Sequence, residues 1–176
     1  NVCILMCFVF LGLYLNYNNS FFLNSIIKPG LDTFSFSIID LLIILFFDDT
    51  FFYFLHRYMH ENKYIYKVIH KIHHRANAPI PIDYIYVHPL EWMSGFIGPF
   101  IGIWILDGVG IYTFWIYLFV RNFHELAIHS GLKTSWLSKL IPFYGTTEHH
   151  DLHHARRDGN YASTFTLWDK IFKTNF

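Results

Sequence analysis

Two histidine triplets with the same spacing constrain the fold more than any other feature of this sequence. The first is His70, His73 and His74 in VIHKIHHR, and the second is His150, His153 and His154 in TEHHDLHHARR. On an α-helix, positions i, i+3 and i+4 fall within about 100° of the circumference. Each triplet therefore predicts a helix that presents three imidazoles on one face.

A third histidine cluster lies in HRYMH, where His56 and His60 are an i, i+4 pair on one helical face. Asp49 and Tyr53 continue the same stripe toward the N-terminus, at offsets of seven and three residues from His56. We expect Asp49 to accept the outer N–H of a ligating imidazole, which would fix the orientation of that ring. The alternative is that Asp49 pairs with another helix.

These eight clustered histidines predict a metal site, because imidazole is the commonest metal ligand in proteins. One ion takes about four protein ligands, so eight histidines suit two ions. Few carboxylates are clustered with them, which disfavours magnesium and calcium. Imidazole-rich sites suit zinc, copper, iron or nickel, and the spacing alone does not choose among these metals.

RNFHELAIHSG adds two further histidines. His124 and His129 are five residues apart and point about 140° from each other on a straight helix, whereas Glu125 and His129 share a face. His129 is therefore the better ligand candidate, and Glu125 either supports it or ends the helix. His124, His88 and His149 are additional ligand candidates, although His88 and His149 taken singly fit surface or core residues better.

The composition indicates that much of the surface faces something other than water. Charged residues are 15% of the chain, against about 25% in soluble domains, and the mean hydropathy is +0.30. The net charge of zero gives no general attraction to nucleic acid. Apolar runs occupy residues 2–17, 36–55, 90–106 and 109–120.

Basic residues follow the second and fourth apolar runs, which places both histidine-rich regions in the cytosol by the positive-inside rule. We therefore predict an all-α integral membrane bundle of about four transmembrane helices in two hairpins, with a cytosolic histidine-rich helical cap. The third and fourth runs are short and also fit a re-entrant pair. Residues 1–36 are expected to form an N-terminal membrane helix and loop, and residues 37–176 the catalytic domain.

Other chemistries have little support in the sequence. It contains no G-x-G-x-x-G, P-loop or G-x-S-x-G motif, and HELAIH has one residue too many for H-E-x-x-H. No haem or flavin motif is evident, so reducing electrons would come from a separate protein. A membrane metal transporter and a zinc hydrolase that uses Glu148 or Asp151 stay open as alternatives.

The chain resembles the sterol desaturase/fatty acid hydroxylase superfamily of membrane non-haem diiron enzymes. The matching segments are DDTFFYFLHRYMH, HKIHH, HPLE, HSG and HHDLHH, followed by GNYASTFTLWDKIF. Within this superfamily it looks most like the sterol C-4 methyl oxidases. Sterol C-5 desaturases, cholesterol 25-hydroxylase-like enzymes and other lipid hydroxylases share these histidine boxes.

The resemblance implies an O2-dependent oxidation of an unactivated C–H bond in a membrane lipid or sterol, at a C-4 methyl group. It implies an endoplasmic reticulum membrane and electrons from NAD(P)H through cytochrome b5 or a reductase-type carrier. Asp49 and Asp151 are expected to support the ligands. The implied ligands of the two irons are His56, His60, His70, His73, His74, His129, His150, His153 and His154.

Overall fold

The computed structural model is all-α across the residues that it describes. These are 35–176, 25–28, and the helical positions Cys3, Met6, Cys7, Phe10, Leu11 and Tyr14. Extended pairing in this part of the chain is limited to two isolated bridges, Ile27 with Val109 and Tyr144 with Phe165. The predicted all-α class is confirmed, and most of the predicted N-terminal helix lies outside the described residues.

Seven α-helices follow one another between residues 38 and 172. They are α1 (Ile38–Glu61), α2 (Lys63–Val68), α3 (Pro89–Ser94), α4 (Ile97–Ile105), α5 (Ile111–Ile128), α6 (Thr147–Arg156) and α7 (Leu167–Phe172). Short 3-10 helices occupy His70–Arg75, Pro81–Ile85 and Leu137–Lys139. About four membrane spans were predicted, but no helix among the described residues combines the length and apolarity needed to cross a bilayer.

Helix α1 continues past its apolar run and carries the first histidine pair in its last two turns. Ser37 caps its start by accepting a hydrogen bond from the Asp40 backbone N–H at 3.1 Å. Asn62 ends it, and the Asn62 side chain accepts from the backbone N–H groups of Tyr64 and Ile65, both at 3.1 Å. Asn62 therefore caps α2 and turns the chain back toward the histidines of α1.

Helix α4 packs closely on α1 because Gly98 and Gly102 face it. A Cβ on Gly98 would lie 2.9 Å from the Asp48 Cα, and a Cβ on Gly102 would lie 3.1 Å from the Ile44 Cα. Small residues four apart allow two helix backbones to approach in this way. The contact fixes the part of α1 that precedes its histidine pair.

The third and fourth apolar runs differ from their predicted bounds. Residues 90–106 form two helices rather than one, since α3 ends at Ser94 and α4 begins at Ile97. Asp107 and Gly108, with φ of 52° and 84°, turn the chain back into α5. Helix α5 then continues to Ile128, eight residues past the apolar run, and so delivers its polar end to the histidine-rich region.

The C-terminal helix α7 closes the fold against the histidine-bearing half of α1. Tyr53 is fully buried, and its ring stacks on Phe172 at 5.8 Å and on Trp168 at 6.5 Å between centroids. Tyr53, Tyr161 and Ala162 form a small core here, apart from the larger core between α1, α4 and α5. This small core lies immediately beneath His56.

Candidate metal centre

The nine histidines predicted as ligands converge into two adjacent groups. Within each group, one ligand nitrogen from every ring lies within 4.8 Å of all the others. Eight of the nine rings are buried, and His60 is half-buried. The first group is His56, His60, His70, His74 and His153, and the second group is His73, His129, His150 and His154.

Each histidine triplet contributes to both groups. His70 and His74 belong to the first group, while His73, from the same triplet, belongs to the second. The other triplet divides in the opposite sense, because His153 joins the first group and its neighbours His150 and His154 join the second. In both triplets the i and i+4 rings stay together and the i+3 ring crosses over, which ties the two groups into one unit.

The spacing of the ring nitrogens fits a metal ion in the first group. The Nε2 atom of His70 lies 3.0 Å from that of His56, 2.9 Å from that of His60 and 3.0 Å from that of His74. A neutral imidazole carries one proton, so these contacts cannot all be hydrogen bonds. With metal–nitrogen bonds of about 2.1 Å, adjacent ligands at right angles are about 3.0 Å apart and tetrahedral ones about 3.4 Å. The nitrogens are therefore spaced for ligands at right angles rather than for a tetrahedral site.

The second group has the same spacing. The Nε2 atom of His150 lies 3.0 Å from that of His129 and 3.1 Å from that of His154. The groups also approach each other closely, since the rings of His74 and His154 are 4.6 Å apart between centroids. Two neighbouring cations, each held by imidazoles, would satisfy all of these inward-facing nitrogens.

The segment between α6 and α7, residues 157–166, orients histidines from three helices through its backbone carbonyls. The outer Nδ1–H of His153 donates to the Gly159 carbonyl at 2.8 Å, and that of His56 donates to the Tyr161 carbonyl at 2.6 Å. The ring of His124 bonds the Ser163 carbonyl at 3.1 Å. A proton held on Nδ1 leaves Nε2 unprotonated toward the group, which is the tautomer that binds metal.

Asp169 on α7 fixes the 157–166 segment. Its carboxylate is fully buried and accepts from the backbone N–H groups of Tyr161 and Ala162, both at 2.9 Å, and from the Thr174 hydroxyl at 2.6 Å. Asp169 therefore holds the Tyr161 carbonyl against His56 without touching a ligand. Sequence reasoning missed this residue, although it belongs to the WDKIF segment that carried the resemblance.

Three further rings have partners for their outer nitrogens, whereas the Nδ1 atoms of His73, His74 and His150 are buried without one among the described residues. His129 donates to the Glu125 carbonyl one turn earlier on α5 at 2.7 Å, and His154 donates to the Ala76 carbonyl at 2.8 Å. His70 differs, because the acceptor of its Nδ1–H is the carboxylate of Glu91 at 2.8 Å. Sequence reasoning did not assign a role to Glu91, which lies in the quoted HPLE segment.

Asp49 does not have the predicted role. Its Oδ1 atom accepts from the Phe165 backbone N–H at 2.9 Å, while the outer nitrogen of His56 bonds the Tyr161 carbonyl instead. Asp49, Tyr53 and His56 are all buried on α1, but the 157–166 segment bonds both Asp49 and His56. Asp49 thus anchors the far end of that segment rather than an imidazole.

The three additional histidine candidates lie outside both groups. His124 is buried between the Tyr144 hydroxyl and the Ser163 carbonyl, at 3.3 and 3.1 Å. His88 caps α3 by accepting from the Leu90 backbone N–H at 3.1 Å. The ring of His149 lies 3.2 Å from Asp169.

The acidic candidates on α6 are also separate from the nine rings. Asp151 is half-buried and belongs to neither group. Glu148, in the first turn of the helix, also lies outside both groups. Backbone and side-chain hydrogen bonds, including those from Ser135 and Thr146, outweigh the desolvation of Glu148 and lower its pKa.

A buried charged network lies behind the second group. The Arg121 guanidinium bonds Asp48 on α1 at 2.8 Å and also bonds Glu125, which in addition accepts from the Ser163 hydroxyl. Tyr117 donates to the same Asp48 carboxylate at 2.9 Å. Burial opposes the ionisation of Glu125, but the Arg121 charge and the neighbouring histidines outweigh it and lower the pKa of Glu125 to about 2.

A comparison with known families matches residues 41–174 of this chain to the family model described as "Fatty acid hydroxylase". The matched region contains all nine grouped histidines. The chain belongs to the fatty acid hydroxylase family. No solved structure gives a significant match to it.

Several curated proteins are similar to this chain. Methylsterol monooxygenase 1 of Rattus norvegicus is 45% identical over 130 residues, which are 73% of this chain and 43% of the relative. Methylsterol monooxygenase 1-3 of Arabidopsis thaliana is 41% identical over 127 residues, 70% of this chain and 43% of the relative. Methylsterol monooxygenase erg25B of Aspergillus fumigatus is 37% identical over 141 residues, 76% of this chain and 47% of the relative. The chain spans somewhat less than half the length of these relatives.

Burial favours the neutral form of several of the grouped histidines in this fatty acid hydroxylase family member. Desolvation is the main cause that lowers the pKa values of His56, His73, His150 and His153 well below their ordinary value. Desolvation, together with the neighbouring His129 and His70, lowers the pKa of His154 to about 4. Neutral rings are the form that binds a metal, so the fold prepares these side chains for coordination.

Acidification is expected to destabilise the metal-free protein steeply. Histidines of the unfolded chain take up protons near pH 6.5, whereas buried His154 resists protonation until about pH 4. Stability is therefore lost as the pH falls from about 6.5 toward 4, by up to about 1.4 kcal/mol per pH unit for each such histidine. The unfolding midpoint of metal-free protein in detergent, measured from pH 8 to pH 4.5, checks this. A midpoint that stays constant or rises over that range would contradict it.

Proposed function

We propose that this chain is the catalytic core of an O2-dependent oxidoreductase that oxidises an unactivated C–H bond of a sterol, at a C-4 methyl group. The observation that carries the proposal is the pair of adjacent, buried groups built only from imidazoles. Its relatives named methylsterol monooxygenases, at 37–45% identity, supply the substrate class.

The nine grouped histidines are proposed to hold two iron ions, one in each group. When bound, the irons supply the activation of dioxygen and the oxidation of the C–H bond. The protein presents neutral imidazoles and orients them through the Gly159 and Tyr161 carbonyls. It also excludes water, since His153 and His154 are fully buried at the boundary between the groups.

The sterol is proposed to arrive from a membrane, and the surface of the helices supports this. Trp104 on α4 is 78% exposed, and Phe119 and Phe123 on α5 are 68% and 63% exposed and stack on each other. Large apolar surfaces of this kind indicate a membrane or protein partner. We propose an integral protein of the endoplasmic reticulum, with about four spans and with the histidine groups on the cytosolic side.

Reducing electrons are proposed to come from NAD(P)H through an external carrier, either cytochrome b5 or a reductase-type protein. Two irons that activate dioxygen must be reduced again after each turnover. The sequence carries no evident haem or flavin motif of its own, so a separate protein is needed for this step.

The decisive experiment supplies the purified, iron-loaded protein in lipid nanodiscs with a 4-methylsterol, NADPH, a carrier and 18O2. We expect O2 consumption that depends on the sterol, and one 18O atom in the first alcohol product. A 4-desmethyl sterol is the matched control substrate and should give no oxidation at C-4. Sterol-independent metal flux into vesicles would favour a transporter. A new ring double bond, or hydroxylation at another carbon, would favour a different member of the superfamily.

A further inference from the structure

The two histidine groups differ in the chemistry behind their ligands. In the second group the outer nitrogens of His129 and His154 donate to neutral backbone carbonyls, and the Glu125 carboxylate, 3.9 Å from the His129 Nδ1, is already paired with Arg121. In the first group His70 faces a carboxylate, since its Nδ1 lies 2.8 Å from the Glu91 Oε1. His70 also lies centrally in that group, because its Nε2 contacts those of three other rings within 3.0 Å.

Glu91 is a buried acid without a cation among the described residues. Its side chain is 9% exposed, its first oxygen accepts the His70 N–H, and its second oxygen is buried without a hydrogen-bond partner. Burying a carboxylate is costly unless a nearby positive charge compensates it. The Glu125 carboxylate behind the second group has such a charge in Arg121. A cation on the far side of the His70 ring would play this part for Glu91.

We propose that Glu91 is a positioning residue for the first metal group, where its charge strengthens metal binding through His70. The inference rests on the proposed function, because it takes the first group to be a metal site. A carboxylate that accepts the outer N–H of an imidazole fixes the ring and raises its basicity. The same negative charge stabilises the more oxidised state of a bound iron, so the two metal positions differ in both affinity and reduction potential.

Two substitutions separate the charge of Glu91 from its hydrogen bond. Glu91→Gln keeps an oxygen that can accept the His70 N–H but removes the charge, and Glu91→Ala removes both. Asp83→Asn is the matched control, because Asp83 lies in the preceding 3-10 helix Pro81–Ile85 and its carboxylate bonds the nearby Ile80 backbone N–H, at 3.0 Å.

Metal-free protein in detergent is titrated with Co²⁺, whose absorption bands report each occupied position. Two binding steps are expected in the wild-type protein. Glu91→Ala should weaken one step by about 10–100-fold, and Glu91→Gln by a smaller factor, with the other step unchanged. The same loss should persist in a His129→Ala background, where only the first group stays complete. Asp83→Asn should bind like the wild-type protein.

Iron-loaded protein provides a second readout that a purely structural role would not change. Glu91→Gln is expected to shift the midpoint potential of one iron to a more positive value, while the unfolding midpoint of the metal-free protein stays near that of the wild type. Unchanged Co²⁺ affinity and unchanged potential in Glu91→Gln and Glu91→Ala would overturn the role of Glu91. A wild-type protein that bound no Co²⁺ or iron would instead refute the proposed function.

Discussion

Alanine at His153 is expected to empty the first metal group, and alanine at His73 is expected to empty the second, although each residue belongs to the triplet that mainly serves the other group. The expectation follows from the crossing of the i+3 rings. Loss of a direct ligand should cost more than the about 100-fold in affinity that loss of an outer partner costs. Each variant should therefore retain about one metal per chain by elemental analysis and lose sterol oxidation.

Double variants test the crossing itself. Changes within one group remove the same ion, so His56→Ala should add little to His153→Ala in the measured loss of metal. Changes in different groups should add, so His73→Ala combined with His153→Ala should leave no metal. His88→Ala is the control, because His88 caps α3 outside both groups and should keep two ions. If His73 and His74 instead proved redundant with each other, the assignment to two groups would be wrong.

The nine grouped histidines could be identified from residue type and spacing, because clustered imidazoles are rare and chemically specific. The division of each triplet could not be predicted. A helical wheel places His70, His73 and His74 on one face, but the segment His70–Arg75 is a 3-10 helix. Whether a ring joins the first or the second group depends on the packing of α1, α5 and α6 around it.

The outer partners were harder to predict than the ligands for a physical reason. His56, His153 and His154 are oriented by backbone carbonyls, which every residue carries and which leave no trace in the sequence. Asp49 illustrates the converse, since a carboxylate with the right helical offset serves a backbone N–H at Phe165 instead. The lengths of the apolar runs also misled at α5, because helix formation continues through the polar residues that follow the run.

Arg121→Met is expected to be the most destabilising single change in the charged network. Arg121 is the cation that joins two buried carboxylates, Asp48 on α1 and Glu125 on α5, whose side chains are 3% and 6% exposed. Removing one partner of a buried ion pair leaves an uncompensated charge and costs about 3–5 kcal/mol. A domain of this size has a net stability of about 5–15 kcal/mol, so the variant should be close to unfolding.

Arg57→Met is the matched control for Arg121→Met. It also removes an arginine that pairs with a carboxylate four residues away, Glu61 at 2.7 Å, but this pair is exposed. Exposed pairs contribute about 0–1 kcal/mol, so the unfolding midpoint should change little.

Restoring neutrality should rescue the Arg121 variant if uncompensated charge is the cause of its instability. The triple variant Arg121→Met, Asp48→Asn, Glu125→Gln keeps the shapes of the two acids and removes both charges. We expect it to recover most of the lost stability in denaturant titrations of the detergent-solubilised protein, because no charge is then left buried alone. If the triple variant were as unstable as Arg121→Met, packing of the arginine stem rather than its charge would account for the loss.

Arg121→Met should also lose metal from the second group before the first, because the Glu125 carbonyl orients His129.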